Sequence, residues 1–596
     1  MGWGARNKLV PIVFSGCFGW LHAPPEGRRS DIAVLICQGV MREGLLAYCS
    51  LRVLGEDLAA AGYPTVRFDY PATGNSLDAD LNQGGAHWTA WQKSIETAID
   101  WLKGVSGAGR VLLCGVRTGG TLAALVAERR NDVAGLLLFE PVIIGRTHVR
   151  QLILEADLQR GHPMPRDQGL EIREMNFTAA TVAQMAAFDL RKVALPAGLP
   201  AAIFARPELK PMDECAQAWA GRGVKATKHG FDGLLQLLQH DILDENQLAD
   251  FTHPLAWLKA TLPAMPLHSA ATGSINPGVA VLQPPGCFDT PLKFGPDGRL
   301  FGILCRPERG STEDMVLIPN GGRDPSFGAA RQHIVLARRF AQAGIASFRF
   351  DFAGLGDSVG PPGKERVFTH AFTDRTGDTR AAVDAMAGLG FSRFSMHGLC
   401  LGAFHALHGA LAEPRLTSLM LINLPLFTVL VSDALAQLEQ RGLSARFYLG
   451  KLLRPSAWAH VLGGKSNLPA LKRAGVFHLR RHAIGRLQGL ARRLGLTASQ
   501  SFAHRAMADL SRRDVRTLYL FSDGETDIEA FAAEFGADGA GLKAYRGAAM
   551  HIVPGMDHSL TITAGRVPAE TMMVEFVAAG RPSETATQGG GNALPA

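Results

Sequence analysis

The chain repeats a run of motifs at a nearly constant spacing, and this repeat constrains its fold more than any other feature. Residues 62–70 align without a gap on residues 344–352, and both segments contain the run Arg-Phe-Asp. A glycine follows in each copy, Gly74 and Gly356, at the same offset of about 282 residues. Self-similarity at one offset is typical of a chain built from two copies of one structural unit. We therefore interpret the chain as an internal duplication.

Each copy alternates short apolar runs with helical patterns. Strands separated by helices predict a mostly parallel sheet with helices on both faces, which is an α/β fold. We expect domains at 1–262 and 286–580, a Pro-, Gly- and Ala-rich linker at 263–285, and a disordered tail at 581–596. The predicted strands are 33–37, 66–70, 111–114, 135–139 and 201–204 in the first copy, and 316–319, 347–352, 394–397, 419–422 and 517–521 in the second.

The N-terminal segment has two interpretations. An apolar run that follows Lys8 and ends at Cys17 resembles a short signal region with a lipoprotein-like cleavage site. The repeat favours another interpretation, because the same segment has a counterpart around Cys287 to Cys305. We therefore expect an opening β-hairpin in each copy.

The second copy carries a Gly-x-Cys-x-Gly motif between a strand pattern and a helix pattern. Its residues are Gly398, Leu399, Cys400, Leu401 and Gly402. This order predicts a sharp turn that exposes the central side chain above the sheet, and its glycines avoid collisions with neighbouring backbone. The N-terminus of the following helix favours a thiolate. The alternative is a buried structural cysteine in a Gly-rich turn.

An acid and a histidine follow the cysteine in the order that α/β-hydrolases use. His558 lies on a loop before the last predicted helix, where it can take the thiol proton and later return it to a leaving group. An acid would fix its tautomer and stabilise the imidazolium. We favour Asp527, a few residues beyond the predicted strand end, with Asp523 as the alternative.

The oxyanion hole is predicted from two backbone N–H groups. The run from Asn320 to Gly322 follows a predicted strand, at the point where this fold has its oxyanion loop. The N–H groups of Gly322 and Leu401 are expected to converge on the carbonyl oxygen, and one such donor typically contributes ~3 kcal/mol.

The first copy lacks each of these groups. Arg117 occupies the nucleophile position, and an arginine in a protein does not lose its proton or attack a carbonyl. Gly233 aligns with the histidine, and Arg206 and Lys210 stand where the second copy has Asp523 and Asp527. We expect this copy to be catalytically inactive. Arg117 either holds an anionic ligand at a helix N-terminus or, as we favour, pairs with Asp69, Glu140 or a residue across the domain interface.

An insertion at 425–513 of the second copy is strongly basic and occupies the usual position of a lid. A run of charge is usually a solvated face, but the excess here has one sign. It predicts an acidic partner: an acyl carrier protein, a CoA thioester, an anionic glycan or an anionic membrane surface.

Composition sets the remaining bounds. Charged residues make up 19% of the chain, apolar residues 47%, and the net charge is +7, which does not by itself indicate nucleic acid. The eight cysteines form no Cys-x-x-Cys pair, so neither a metal site nor a disulfide framework is predicted, and no cofactor is indicated. This cysteine usage makes a reduced, cytoplasmic setting the expectation. No apolar run is long enough to span a bilayer. The sequence does not indicate an oligomeric state.

Several motifs resemble the hydrolases encoded with bacterial exosortase-A and exopolysaccharide systems, a branch of the α/β-hydrolases. The matching motifs are Gly321-Gly322, Phe327-Gly328, Arg331-Gln332, Leu336-Ala337-Arg338, Phe350-Asp351, Gly354-Leu355-Gly356-Asp357-Ser358 and Gly398-Leu399-Cys400. In one branch of that family, a cysteine occupies the sharp turn between strand and helix, which is called the nucleophile elbow. In another branch an arginine occupies this elbow, as Arg117 does in the first copy. The resemblance covers the cores of both halves but not the lids, and it implies two tandem α/β-hydrolase domains but no particular substrate. We also expect a helical lid insertion in each domain. Asn320 and the fusion of two units depart from the family pattern.

Three functions are compatible with these motifs. The first is a Cys-His-Asp acyl hydrolase or thioesterase that acts through an acyl-thioenzyme. The second is an acyltransferase or cyclase that passes the acyl group to an amine or hydroxyl acceptor. The third is a tandem hydrolase-like scaffold without activity, which the order of the triad residues disfavours.

Overall fold

The computed structural model of the chain describes residues 8–25, 27–79, 85–160, 169–172, 175–238, 246–265, 275, 277–310, 313–369, 372–428, 501–525 and 528–580. Among these residues, no helix is both long enough and apolar enough to cross a lipid bilayer.

The first half contains eleven described strands, of which eight form one sheet with helices. Its strands are β1 (Lys8–Phe14), β2 (Cys17–Ala23), β3 (Ile32–Cys37), β4 (Thr65–Phe68), β5 (Arg110–Val116), β6 (Val133–Phe139), β7 (Leu170–Ile172), β8 (Met175–Phe177), β9 (Pro200–Ala205), β10 (Lys225–Gly230) and β11 (Asn246–Gln247). Its helices are α1 (Met41–Ala60), α2 (His87–Ser106), α3 (Thr118–Ala127), α4 (Gly145–Arg160), α5 (Ala179–Ala187), α6 (Lys210–Ala220), α7 (Gly233–Leu238) and α8 (Thr252–Thr261). The sheet order is β1-β2-β4-β3-β5-β6-β9-β10, and α4, the hairpin β7-β8 and α5 lie between β6 and β9 in the chain.

The second half forms a sheet with the same plan. Its strands are β12 (Cys287–Phe294), β13 (Leu300–Pro307), β14 (Asp314–Pro319), β15 (Ala346–Asp351), β16 (Val367–Phe368), β17 (Arg393–Leu399), β18 (Leu416–Ile422), β19 (Arg516–Ser522) and β20 (Ala548–Val553). Its helices are α9 (Gln332–Gln342), α10 (Thr376–Ala387), α11 (Leu401–Ala412), α12 (Phe502–Arg512), α13 (Ile528–Phe535) and α14 (Thr563–Ala578). The sheet order is β12-β13-β15-β14-β17-β18-β19-β20.

Both sheets have the strand order of the α/β-hydrolase fold. Each opens with an antiparallel hairpin, β1-β2 or β12-β13, and continues with parallel strands such as β5-β6 and β17-β18. The predicted fold class, two tandem α/β-hydrolase domains, is confirmed, and so are the ten predicted strands and the two opening hairpins.

Helices cover both faces of the first sheet because its central strands are apolar throughout. In β5, Val111 and Leu113 belong to one buried cluster, whereas Leu112 and Cys114 belong to the cluster on the opposite face. Side chains alternate between the two faces of a strand, so a continuous apolar run has both faces buried. This pattern explains why strand prediction succeeded at the sheet centre.

The repeated loop after the fourth strand has the same hydrogen bonds in both halves. The Ser76 hydroxyl donates to the Asp69 carbonyl at 2.6 Å, and the Ser358 hydroxyl donates to the Asp351 carbonyl at 2.6 Å. The aligned motifs therefore build matching local structures, while their origin by duplication stays a prediction.

By density of internal contacts, the chain divides into two compact units. The first unit is Met1–Ser311 with Ile318–Gly388, and the second is Thr312–Leu317 with Leu389–Ala596. The division does not follow the predicted linker at 263–285.

Contacts within the first unit explain why residues 318–388 group with the N-terminal half. Arg67 forms a buried ion pair with Asp357, whose carboxylate also accepts a hydrogen bond from the Tyr48 hydroxyl at 3.0 Å. Strands β11 and β16 pair antiparallel in the same unit. Asp357 lies 290 residues from Arg67 and 309 residues from Tyr48 in the sequence. Local sequence patterns therefore did not predict the grouping.

The turn before α11 depends on the absence of a side chain at Gly398. A Cβ there would lie 2.3 Å from the Gly402 carbonyl oxygen. We expect Gly398→Ala to lower the midpoint of thermal unfolding, because overpacking of this kind costs about 1–3 kcal/mol. Gly104→Ala is the matched control: apart from the neighbouring backbone of α2 itself, no atom lies within 4 Å of a Cβ built at that position, so stability should be unchanged or slightly higher. Equal midpoints for wild type and Gly398→Ala would contradict this account.

Candidate active site

Cys400 lies on the predicted strained turn. It joins β17 to α11 with φ 54° and ψ −119°, in the region of positive φ that side chains other than glycine rarely adopt. Its N–H donates to the Ile422 carbonyl at 2.9 Å, which fixes the turn to the neighbouring strand β18. Its side chain is half-buried, unlike the seven other cysteines, which are buried. The elbow geometry predicted for residues 398–402 is therefore present.

The imidazole of His558 contacts both the Cys400 thiol and a carboxylate. His558 lies on the loop between β20 and α14 and forms a hydrogen bond with Cys400. Its Nδ1 donates to Glu525 Oε2 at 2.7 Å, which leaves Nε2 for the thiol. Burial lowers the pKa of His558, but Cys400 and then Glu525 outweigh it and raise that pKa to about 11. A raised pKa favours the charged imidazole, and a charged imidazole beside a thiol favours the thiolate form.

The carboxylate beside His558 belongs to Glu525, which the sequence analysis did not select. Asp523 is exposed, and Asp527 lies outside the described residues. The reason is a reverse turn: the Glu525 N–H donates to the Ser522 carbonyl at 3.2 Å, and Gly524 has φ 80°. The turn brings residue 525 back over the end of β19. The dipeptide Asp523-Gly524 is a turn signal that would have identified it.

The His558 loop has its own internal support. The Asp557 carboxylate accepts the N–H groups of Thr561 and Ile562, each at 2.8 Å. Its other oxygen accepts the Thr561 hydroxyl at 2.7 Å. Asp557 thus closes the turn that leads into α14 and limits the positions that the adjacent imidazole can adopt.

The two predicted oxyanion donors lie on different segments, Leu401 at the start of α11 and Gly322 on the loop after β14. Leu401 is the first residue of α11, where a backbone N–H has no acceptor within the helix. Gly322 has φ 58°, and its carbonyl accepts the Asn320 side-chain amide at 3.1 Å. The Asn320 Oδ1 accepts the Phe352 N–H at 2.9 Å, so Asn320 shapes the loop. The pairing of the Gly322 and Leu401 N–H groups stays a prediction.

The first half repeats the elbow geometry with Arg117. This residue has φ 53° and ψ −122°, within a few degrees of Cys400. Its Nε donates to Glu43 at 2.8 Å and its Nη1 donates to the Glu140 carbonyl at 2.9 Å. Of the pairings proposed from sequence, the one with Glu140 is present. Asp69 instead accepts the Gln38 amide at 2.7 Å.

Other positions of the first half that correspond to the candidate site are also occupied by structural interactions. The fully buried Glu140 carboxylate binds Arg206, whose Nε lies 2.8 Å from Glu140 Oε1. The Val40 N–H, which aligns with that of Gly322, donates to the Thr118 hydroxyl at 3.1 Å. A side chain therefore already satisfies the donor that an oxyanion would need.

The predicted basic lid lies largely outside the described residues, which resume at Ser501. Three of its arginines, Arg505, Arg512 and Arg513, are described. Arg513 donates to the Ala410 and Glu413 carbonyls. This arginine supports the end of α11. The role of the insertion in binding an anionic partner stays a prediction.

Comparison with known proteins adds solved structures of low similarity. No protein-family model matches the chain, and no curated protein matches it. The structure of DcsB in complex with its substrate analogue is 15% identical, covers 39% of this chain and 94% of its own, and has a TM-score of 0.28. Est1E from Butyrivibrio proteoclasticus with bound ferulic acid is 14% identical, with 37% and 89% covered and a TM-score of 0.29. The proline iminopeptidase of Mycobacterium smegmatis is 16% identical, with 48% and 97% covered and a TM-score of 0.29. Likeness at this level is no guide to activity.

Substitution of the three candidate acids separates their roles. We expect Glu525→Gln to slow alkylation of Cys400 by iodoacetamide about tenfold on the acidic side of the pH–rate profile, where the thiolate fraction still rises with pH, because loss of a charge partner worth ~1.4 kcal/mol shifts the ionisation equilibrium tenfold. Asp523→Asn, at an exposed position two residues away, is the matched control and should leave the rate unchanged. Site-resolved mass spectrometry measures the rate. If Asp527→Asn slows alkylation and Glu525→Gln does not, the assignment of Glu525 is wrong.

Proposed function

We propose that the second half is a cysteine acyl hydrolase that cleaves an ester or thioester through an acyl-thioenzyme. The observation that supports this most is the chain of contacts from Cys400 to His558 to Glu525 on a strained elbow. Nucleophile, base and orienting acid within hydrogen-bond reach are the arrangement that covalent acyl transfer requires. The acid is Glu525 in this proposal, which replaces the Asp that the sequence analysis favoured.

The reaction begins with the thiolate of Cys400 and the imidazolium of His558. The sulfur attacks the carbonyl carbon, and the carbonyl electrons move to oxygen to give a tetrahedral oxyanion. The N–H of Leu401, with that of Gly322 as its predicted partner, donates to this oxyanion and lowers the barrier by ~3 kcal/mol for each donor. Collapse expels the alcohol or thiol, which takes the proton from His558 Nε2 and leaves the acyl group on sulfur.

Water completes the turnover. Neutral His558 accepts a proton from water as the water oxygen attacks the acyl carbon. Collapse of the second tetrahedral intermediate releases the carboxylic acid and returns the sulfur as a thiolate beside the imidazolium. Glu525 remains ionised throughout and holds the Nδ1–H tautomer.

The thiol nucleophile favours a second candidate, acyl transfer. A thioester on sulfur reacts with amines more readily than with water, so an acceptor amine or hydroxyl can intercept the acyl group if water is excluded. The product would then be an amide or ester, including a cyclic one if the acceptor belongs to the same acyl chain. An acyl group carried on CoA or an acyl carrier protein suits either reaction, because the basic sequence at 425–513 would attract an anionic carrier.

The first half has no catalytic step in this proposal. The ion pairs of Arg117 and Glu140 replace the triad there, which supports loss of activity after an internal duplication. The resemblance to exosortase-associated hydrolases supports the acyl chemistry of the second half and leaves its substrate open.

An acyl adduct on Cys400 tests the proposal directly. After mixing with a short-chain or a long-chain acyl-CoA, or with an acylated carrier protein, intact-mass spectrometry should show one added acyl group. Cys400→Ala should show none, while Cys215→Ala, which removes a buried thiol on α6, should behave like wild type. An adduct that decays in buffer indicates hydrolysis, and one that decays only after addition of an amine or alcohol indicates transfer. Equal adduct in Cys400→Ala would refute both.

A further inference from the structure

We propose that Asn423 is a positioning residue that holds the His558 loop against the strand that carries Glu525. This inference rests on the proposed function, because it assigns a residue to the same site. The side chain of Asn423 forms its hydrogen bonds with backbone groups of His558 and Ser522 and with the Ser522 hydroxyl, not with the thiol or the imidazole ring. Its effect on the reaction would therefore pass through the residues that it orients.

The side-chain amide of Asn423 joins two segments of the site. Its Oδ1 accepts the Ser522 N–H at 2.9 Å and the Ser522 hydroxyl at 3.2 Å. Its Nδ2 donates to the His558 carbonyl at 2.9 Å. The same Ser522 hydroxyl lies 3.2 Å from Glu525 Oε2. One fully buried amide thus connects the backbone of the histidine to the strand end beside the acid.

The backbone of Asn423 extends this connection to the nucleophile. Its N–H donates to the Leu520 carbonyl at 2.9 Å, and the preceding residue, Ile422, accepts the Cys400 N–H at 2.9 Å. The ends of β17, β18 and β19 are therefore fixed to one another at this point. Relative placement of Cys400, Glu525 and His558 depends on these three strand ends and on one side chain that reaches the loop.

The first half has a residue equivalent to Asn423 but no histidine equivalent to His558. Glu140 aligns with Asn423, is also fully buried and has φ 38°, compared with 48° for Asn423. Its N–H donates to the Phe204 carbonyl at 3.0 Å, and its Oε1 accepts the Arg206 N–H at 3.0 Å. Both residues thus anchor the following strand in the same way. The amide differs by offering a donor, and the half that has the amide is the half that has a histidine.

The chemistry of the site requires an amide here. A carboxylate has no proton to give the His558 carbonyl, and it would add a second negative charge near Glu525. Asparagine also tolerates the left-handed backbone conformation better than most residues, because its short polar side chain hydrogen-bonds locally. A glycine would keep the backbone and remove both contacts.

The sharpest test is Asn423→Asp, because it keeps the shape and the acceptor and removes only the donor. If residue 423 acts only through its charge, the added carboxylate stabilises the imidazolium and preserves the thiolate. If residue 423 acts by positioning, loss of the donor releases the His558 loop and the thiolate is lost. We expect Cys400 alkylation at pH 7 to fall at least fivefold in Asn423→Asp and further in Asn423→Gly, with a rate that now rises with pH as for an ordinary thiol. Glu140→Gln, the equivalent position of the first half, is the control and should leave the rate unchanged.

Two readouts keep the outcomes distinct. If wild-type Cys400 is alkylated no faster than a free thiol, the proposed function fails. The inference is then judged by NMR of the His558 imidazole protons, identified by their loss in His558→Gln. Weakening of the Nδ1–H signal in Asn423→Asp supports positioning, and an unchanged signal overturns it. If wild-type Cys400 is activated and Asn423→Asp retains the same rate and pH profile, the inference alone is wrong. Thermal unfolding of each variant identifies a general loss of structure, which would lower the midpoint without changing the pH profile.

Discussion

The site depends on the contact between the thiol of Cys400 and the imidazole of His558. A thiolate and an imidazolium stabilise each other when adjacent, and Glu525 on the opposite ring nitrogen reinforces the positive charge. The pKa of His558 is raised from its usual 6.5 to about 11, so the pair contributes to stability most fully below pH 6.5 and loses that contribution as pH rises through about 11. The His558 side chain is 38% exposed, so solvent screens the pair and its importance lies in reactivity.

The fold supplies the geometry of this contact and the side chains supply its chemistry. Arg117 and Cys400 have almost the same backbone angles, yet one forms ion pairs with Glu43 and Glu140 and the other faces a histidine. The strained turn is therefore retained without a nucleophile. The two halves share one strand order, but one has an arginine network at the elbow and the other has a candidate active site. Function therefore has to be argued from the side chains of the site and not from the fold.

Sequence patterns predicted the strands, the elbow and the order of cysteine and histidine, because each depends on local periodicity or on motifs with a fixed backbone requirement. The contact of Glu525 with His558 was not predicted, because a turn through Gly524 folds residue 525 back, whereas the prediction counted residues outward along the chain. Asn423 was missed because a lone asparagine after a strand has no distinctive pattern, and its partner His558 lies 135 residues away. The grouping of residues 318–388 with the first half depends on long-range ion pairs that periodicity does not reveal.

The rate of Cys400 alkylation as a function of pH tests the ion pair most directly. A free thiol with a pKa of about 8.5 should react roughly 25-fold faster at pH 9 than at pH 7, because its thiolate fraction rises by that factor. A thiolate already paired with a charged His558 should change by less than about threefold over the same range. A nearly level profile in the wild type, replaced by a steep one in His558→Gln, is the predicted result. A steep profile in the wild type would contradict the account.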